Sequence, residues 1–369
     1  MLEIPGYRIE TKLYEGTRTV IHRGRRVVDN LPVIIKRLKQ GLPSPEEIAQ
    51  FRREYEVAQE VYFDGIAQTY SLEAFKNTLF MAIEDFGGEP LSKLFTPSQP
   101  LEHLEFLRLA IRIVDIIGGI HRRGVIHKDI NPSNIVWNRK RDEIKLIDFG
   151  ISTQLTNEIP TAQSLDALDD TLAYFSPEQT GRMNRSLDYR SDYYSLGVTF
   201  YEMLLGSPPF QSKDPMELVH CHLAKEAESP YEANKNIPKP VSDVVMKLLA
   251  KMPERRYQSI YGLRYDLQEC LEHIKAGNEM HHWQIAVNDV SERFLIPEKL
   301  YGREREIERL LKVFERVSAG SAMLMLVAGN AGTGKSALVN ELRKPIQAVP
   351  QLSERRPPPC AALVTSRAT

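Results

Sequence analysis

Short apolar runs broken by turn residues fill the chain from about Gly6 to Lys39. That pattern predicts strands. Pro45 to Val61 predicts a helix. Ser44 stands at the N-cap, Pro45 at the first helical position, and Glu46 and Glu47 suit the positive end of the helix dipole. Leu79-Phe80-Met81-Ala82-Ile83 is a continuous apolar run closed by Gly87-Gly88, and predicts a buried strand. From Leu101 to His121 the apolar positions Leu104, Leu107, Ile111, Val114 and Ile117 recur at helical spacing. Gly118-Gly119 weakens the last turn of that helix. Two short strands follow, and beyond residue 190 the pattern is mainly helical to about Ala276. The order is strand-rich first and helix-rich second, an α+β arrangement.

The pattern breaks in the polar stretch Gly277 to Glu292. The expected organisation is a first domain over 1–275 and a polar linker over 276–298. Leu300-Tyr301-Gly302-Arg303-Glu304 opens a further helix, and Met323-Leu324-Met325-Leu326-Val327 predicts a buried strand. The tail from Arg343 carries five prolines, five basic residues and one acid. It shows no helix or strand period, and residues 346–369 are expected to be disordered. No internal repeat is present.

Composition narrows the class. Of 369 residues, 42% are apolar and 26% charged, as in ordinary globular chains. Lys+Arg total 48 against 49 Asp+Glu, so no basic excess points to nucleic acid or an anionic membrane as partner. Cys221, Cys270 and Cys360 are scattered, without disulfide or zinc spacing. His220-Cys221-His222 lies in a helical stretch, where consecutive side chains point different ways, so a metal site is the weaker reading. The N-terminus lacks the basic region and apolar core of a signal peptide. The longest apolar run, near Leu324, falls short of the roughly 20 residues of a membrane helix. The cytosol is the expected address, and oligomeric state is left open.

The chemistry concentrates in Val125-Ile126-His127-Lys128-Asp129-Ile130-Asn131-Pro132-Ser133-Asn134, followed by Ile147-Asp148-Phe149-Gly150. Two acids and one amide stand at the spacings phosphoryl transfer requires. Asp129 would orient or take the proton of an attacking hydroxyl, and Asn134 and Asp148 would hold Mg²⁺ against ATP phosphates.

This constellation resembles the catalytic core of the eukaryotic-type protein kinase family, over roughly residues 7 to 273. The resemblance implies a two-lobed fold, with a β-rich first lobe and a helical second. Val33-Ile34-Ile35-Lys36 resembles the third-strand motif, so Lys36 would contact the α- and β-phosphates and pair with a helix glutamate. Glu54 fits that partner, with Glu56 as the register alternative. Leu13-Tyr14-Glu15-Gly16-Thr17-Arg18-Thr19-Val20-Ile21 occupies the place of the glycine-rich loop, but only Gly16 of its three glycines is present. Tyr14 and Thr19 stand where glycines let backbone N–H groups approach phosphate, which should loosen the clamp. By the same resemblance Ile21, Ile34 and Val136 would line the adenine site. Glu84 and Phe86 would belong to the hinge, with Ile83 as gatekeeper.

Two departures stand in the catalytic loop. Lys128 replaces the arginine that grips an activation-loop phosphate, and lysine can do so only as a point charge. Asn131 replaces a lysine that neutralises the γ-phosphate. Losing such a contact can cost roughly 10²–10³ in rate, so a lysine restored at 131 should raise turnover. Thr171-Leu172-Ala173-Tyr174-Phe175-Ser176-Pro177-Glu178 resembles the substrate-binding segment of serine/threonine kinases. By resemblance, Glu178 should pair with Arg256, and Asp192 should cap the catalytic-loop backbone.

Gly329-Asn330-Ala331-Gly332-Thr333-Gly334-Lys335-Ser336 is a complete phosphate-binding P-loop pattern. Gly329 and Gly334 shape the loop, Lys335 would reach the β/γ-phosphates, and Ser336 would hold Mg²⁺. Residues 299–345 look like the start of an AAA-like ATPase, with too few residues after the motif to build its sheet. The order resembles the front end of large bacterial multidomain signalling kinases, and the change after Ile346 suggests a truncated or frameshifted reading frame. The first expectation is therefore a Mg²⁺·ATP-dependent kinase acting on serine and threonine hydroxyls of proteins. A nucleotide-binding regulatory pseudokinase is the alternative. An NTPase switch acting through 300–346 alone ranks third.

Overall fold

The computed structural model describes residues 4–39, 43–154, 171–183, 187–277, 283–291, 302–318, 323, 325–328, 335 and 338. They belong to two compact units, Met1–Glu292 and Arg293–Thr369.

The first unit opens with five antiparallel strands. These are β1 (Tyr7–Glu15), β2 (Thr19–Arg26), β3 (Pro32–Leu38), β4 (Thr69–Phe75) and β5 (Thr78–Glu84), in sheet order β1-β2-β3-β5-β4. Side chains alternate across a strand, and β3 uses both faces. Val33 and Ile35 turn to one side and pack with Ile4, Phe75, Phe80 and Ala82. Ile34 and Lys36 turn to the other, opposite Ile83 and Met81 of β5. Helix α1 (Pro45–Glu60) lies between β3 and β4 in sequence. Ser44 is the N-cap predicted, and with Glu47 it forms a capping box: Glu47 N–H donates to Ser44 Oγ at 3.2 Å, and Ser44 N–H to Glu47 Oε2 at 2.9 Å. Phe51 anchors α1 among Leu38, Leu79 and Met81.

The second lobe is mainly helical: α2 (His103–Arg122), α3 (Arg190–Leu205), α4 (Pro215–Ala224), α5 (Pro230–Ala233), α6 (Lys239–Leu248) and α7 (Ile260–Lys275). Short strands lie at the junction of the lobes. β6 (Glu89–Pro90), β8 (Ile135–Asn138) and β9 (Glu143–Leu146) form one sheet, and β7 (Val125–Ile126) pairs with β10 (Thr153–Gln154). Gly118 and Gly119 do not fray α2, which continues through them to Arg122. A Cβ at Gly119 would lie 2.4 Å from the Phe63 ring. These glycines mark close packing rather than a helix end. His220 is exposed while His222 is buried, with Nδ1 at 3.0 Å from Tyr194 Oη. The two imidazoles therefore do not converge on one ion.

One ion pair organises the base of this lobe. Arg256 Nη1 and Nη2 donate to Glu178 Oε1 and Oε2 at 2.6 and 2.8 Å, with both residues buried. The pairing expected by resemblance is present. Burial alone would raise the Glu178 carboxyl, but the Arg256 guanidinium overrides it and holds it below its ordinary value.

The stretch after α7 does more than link. Trp283, Ile285 and Ala286 pack against the helical core. Asp289 accepts hydrogen bonds from the Gln258 and Ser259 backbone N–H groups at 2.8 and 2.9 Å, at the start of α7. Gly262 makes the approach possible, because a Cβ there would meet Asp289 Cα at 2.7 Å. The compact unit accordingly runs to Glu292, past the boundary expected at 275.

The second unit contributes α8 (Glu304–Ser318), with Leu310 buried. The strand expected over 323–327 is not found at its described positions, and Met325 and Leu326 are exposed. A buried strand needs neighbours to satisfy its backbone, and this unit has no strand among the described residues. Lys335 and Leu338 are helical and buried. Gly329, Gly334 and Ser336 lie outside the described residues.

Arg256→Ala leaves the Glu178 charge buried and unpaired, and should cost about 3–5 kcal/mol in denaturant unfolding. A chain cut after residue 276 should unfold at lower urea concentration than one cut after 292. The expected difference is on the order of 2 kcal/mol, from the lost Asp289 cap and the uncovered Trp283 and Ile285 surface.

Candidate active site

The site lies where β3, α1 and the segment after β9 meet. Lys36 projects from the cleft face of β3, and its Nζ lies 2.6 Å from Glu54 Oε1 and 2.9 Å from Asp148 Oδ2. Glu54 is buried on α1, whereas Glu56, the register alternative, is exposed. Asp148 takes a left-handed backbone conformation (φ 65°). Its Oδ1 accepts the Gly150 N–H at 3.1 Å, which turns the carboxylate back toward Lys36. Burial works against the Lys36 charge, but Asp148 and Glu54 outweigh it and raise the ammonium above its ordinary value. Asp148 is held low against its burial, chiefly by Lys36. With one cation between two acids, Glu54 is pushed up by burial and by the Asp148 charge.

The catalytic loop is positioned from below by α3. Asp192 is fully buried, and its two oxygens accept the backbone N–H groups of His127 and Lys128 at 2.9 and 2.8 Å. This is the cap expected by resemblance. His127 Nδ1 accepts the Asp129 N–H at 3.2 Å, so Nε2 carries the proton and donates to Ile147 O at 3.2 Å. The neutral form suits its burial, which lowers the imidazole pKa. His127 thereby ties the loop to the strand end that carries Asp148, and its ring lies 4.9 Å from that of Phe149.

Asp129 is held by two amides. Asn131 Nδ2 donates to its Oδ1 at 2.8 Å, and Asn134 Nδ2 to its Oδ2 at 2.9 Å. Burial and the nearby Asp148 charge push the Asp129 carboxyl up to about 6, against the pull of the amides. The Nδ2 of Asn134 is spent on Asp129, which leaves its Oδ1 as the oxygen it could offer a cation. Asp148 and Asn134 together offer the hard oxygen donors a divalent cation such as Mg²⁺ takes, so the residues present fit such an ion.

The residues expected around adenine come from the sheet, the segment after β5, and β8. Ile21 and Ile34 share the cleft face with Lys36, and Ile34 pairs with Ile83. The hinge Glu84-Asp85-Phe86 follows β5. Glu84 is pinned by Lys145 Nζ at 2.8 Å, and Asp85 by Arg23 Nε at 2.7 Å. Val136 and Phe86 are both buried, and a Cβ at Gly88 would meet Val136 at 2.7 Å. The chain leaving the hinge therefore lies directly on Val136. Arg23 and Lys145 were not singled out from sequence. Their signal, a cation set against an acid about 60 residues away, exists only in the folded structure.

The glycine loop is a tight hairpin. Gly16 N–H donates to Thr19 O at 3.0 Å, and a Cβ at Gly16 would fall 2.9 Å from the Tyr14 ring. Tyr14, one of the two residues standing in place of a glycine, packs its ring over the turn.

A cleft between a five-stranded sheet and a helical lobe, with a bridged lysine on one wall and a paired aspartate and asparagine on the other, defines a nucleotide-dependent phosphotransfer scaffold. The model of the protein kinase domain matches residues 7–273, and the chain belongs to the protein kinase family. Members of that family use ATP and a divalent metal. An AAA ATPase domain matches residues 299–367. Hybrid signal transduction histidine kinase G of Dictyostelium discoideum is 30% identical over 326 residues, 65% of this chain and 10% of that protein. A probable serine/threonine-protein kinase of Clostridium acetobutylicum is 30% identical over 254 residues, 69% of this chain and 38% of that protein. Serine/threonine-protein kinase PknB of Mycobacterium leprae is 29% identical over 266 residues, 71% of this chain and 42% of that protein. The chain thus spans less than half the length of each of these relatives. No helix among the described residues is long and apolar enough to cross a membrane.

The raised Asp129 carboxyl makes a stability prediction. A buried acid whose folded pKa (about 6) exceeds its ordinary value of 3.8 favours the fold fully below the unfolded value. That contribution is lost as pH rises through the folded value. Asp129→Asn should therefore stabilise the ligand-free protein at pH 7.5, by on the order of 1–3 kcal/mol. The gain should shrink toward pH 5, as read from urea unfolding at the two pH values.

Proposed function

We propose that this chain transfers the γ-phosphate of Mg²⁺·ATP to serine or threonine hydroxyls of proteins. The observation that carries the proposal is the double contact of Lys36 Nζ with Glu54 and Asp148. It sets β3, α1 and the Asp148 segment in one register, as phosphoryl transfer by this family requires. Lys36 would bind and orient the α- and β-phosphates. Asp148 and Asn134 Oδ1 would hold Mg²⁺, which neutralises phosphate charge when bound. Asp129 would receive the hydroxyl proton, each of its oxygens keeping a lone pair beyond the amide bond it already accepts. Ile21, Ile34 and Val136 would enclose adenine, and the Glu84–Phe86 backbone would supply its hydrogen bonds. The serine/threonine assignment follows the printed names of the bacterial relatives and Thr171 in the substrate segment.

A nucleotide-binding module with little transfer is the second reading. The sparse glycine loop favours it, because Tyr14 and Thr19 stand where glycines would let backbone N–H groups approach phosphate. For the second unit, we propose an NTPase segment in which Gly329, Gly334, Lys335 and Ser336 form the P-loop.

Radiolabelled ATP with dephosphorylated casein tests the proposal. Asp129→Asn should lower kcat by about 10²–10⁴ with ATP affinity within a few fold. Equal turnover in that variant and the parent would overturn it. Asp148→Ala, made with Lys335→Ala to silence the second motif, should abolish the Mg²⁺ dependence of ATP binding in a calorimetric titration.

A further inference from the structure

Asn131 stands where the family resemblance expects a cation, and the structure gives it a different task. The residue is 5% exposed. Its Oδ1 accepts the backbone N–H groups of Ser133 at 2.9 Å and Asn134 at 3.2 Å. Those two donors fix which end of the amide is oxygen, so the NH₂ must point the other way. It points at Asp129, meeting Oδ1 at 2.8 Å and the backbone O at 3.3 Å.

The turn beneath is itself anchored. Pro132 O accepts the Ser92 N–H at 3.1 Å, and Thr199 Oγ1 donates to Ile130 O at 3.4 Å. The side chain thus joins a fixed backbone turn to one oxygen of the acid, while Asn134 holds the other. Lysine could donate to Asp129 but has no acceptor for the two N–H groups. Serine could accept from the turn but is too short to reach the carboxylate. An amide of this length performs both tasks at once.

We propose that Asn131 is a positioning residue for phosphoryl transfer, aiming the Asp129 carboxylate by coupling it to the catalytic-loop turn. The inference rests on the functional reading above. It reverses the expectation that lysine at this position would raise turnover: the gained cation comes with an undone turn.

The test compares the full chain with Asn131→Ser and Asn131→Lys, using casein and varied ATP. A misaimed acid should lower kcat by about 10- to 100-fold in both variants, with KM for ATP within threefold of the parent. Asn131→Ser keeps the turn acceptor, so its melting temperature should stay at the parent value. A kcat loss without a KM or melting change is what a merely structural role would not produce. Turnover within threefold of the parent in Asn131→Ser, or at or above it in Asn131→Lys, would overturn the inference while leaving the kinase reading intact. A parent without Asp129-dependent transfer would overturn both.

Discussion

The cleft depends on one buried cation. Lys36 Nζ bonds two carboxylates that come from a helix 18 residues later and a loop 112 residues later. A buried charge without partners is too costly to persist. Lys36 therefore compels α1 to lie against the sheet and Asp148 to turn inward, and the left-handed backbone of Asp148 is part of the cost. Burial raises the Glu54 and Asp129 carboxyls, and the Asp148 charge raises both further. Such a site is primed for a divalent cation, whose arrival would relieve the repulsion.

The helical lobe uses the same device for scaffolding. Asp192 fixes the catalytic loop through two backbone N–H groups, and Arg256 fixes the substrate segment through Glu178. Each is a buried charge held by several hydrogen bonds, so removing one partner strands the other. His127 joins the two halves of the chemistry, since its ring accepts from the Asp129 backbone and donates to the residue before Asp148. The reacting groups are therefore set by neighbours outside the cleft as much as by the cleft walls.

The departures from the family pattern follow from these contacts. Asn131 turns a place expected to hold a cation into a brace. Near the other end of the cleft, Tyr14 and the Gly16 hairpin close a turn onto itself. Both changes set contacts inside the protein at places where the resemblance expects contacts toward phosphate.

Much of the first unit was legible in sequence because local physics decides it. The N-cap of α1, the apolar run of β5 and the period of α2 need only neighbours within one element. The spacing of Asp129, Asn134 and Asp148 is legible in sequence because only one short strand pair separates the loop from Asp148. Three features were not legible, for reasons that are tertiary. Gly119 reads as a helix breaker until Phe63 is packed against it. The stretch 283–291 reads as a polar linker, since Asp289 acquires meaning only beside the first N–H groups of α7. The run 323–327 reads as a buried strand, yet Met325 and Leu326 lie exposed in a unit with no strand among its described residues. The sequence by itself determined the elements of the kinase unit and the identity of its acids and amides. Only the tertiary structure decided which of them meet, because hydrogen bonds and ion pairs between distant residues depend on angstrom-scale placement that no local pattern encodes.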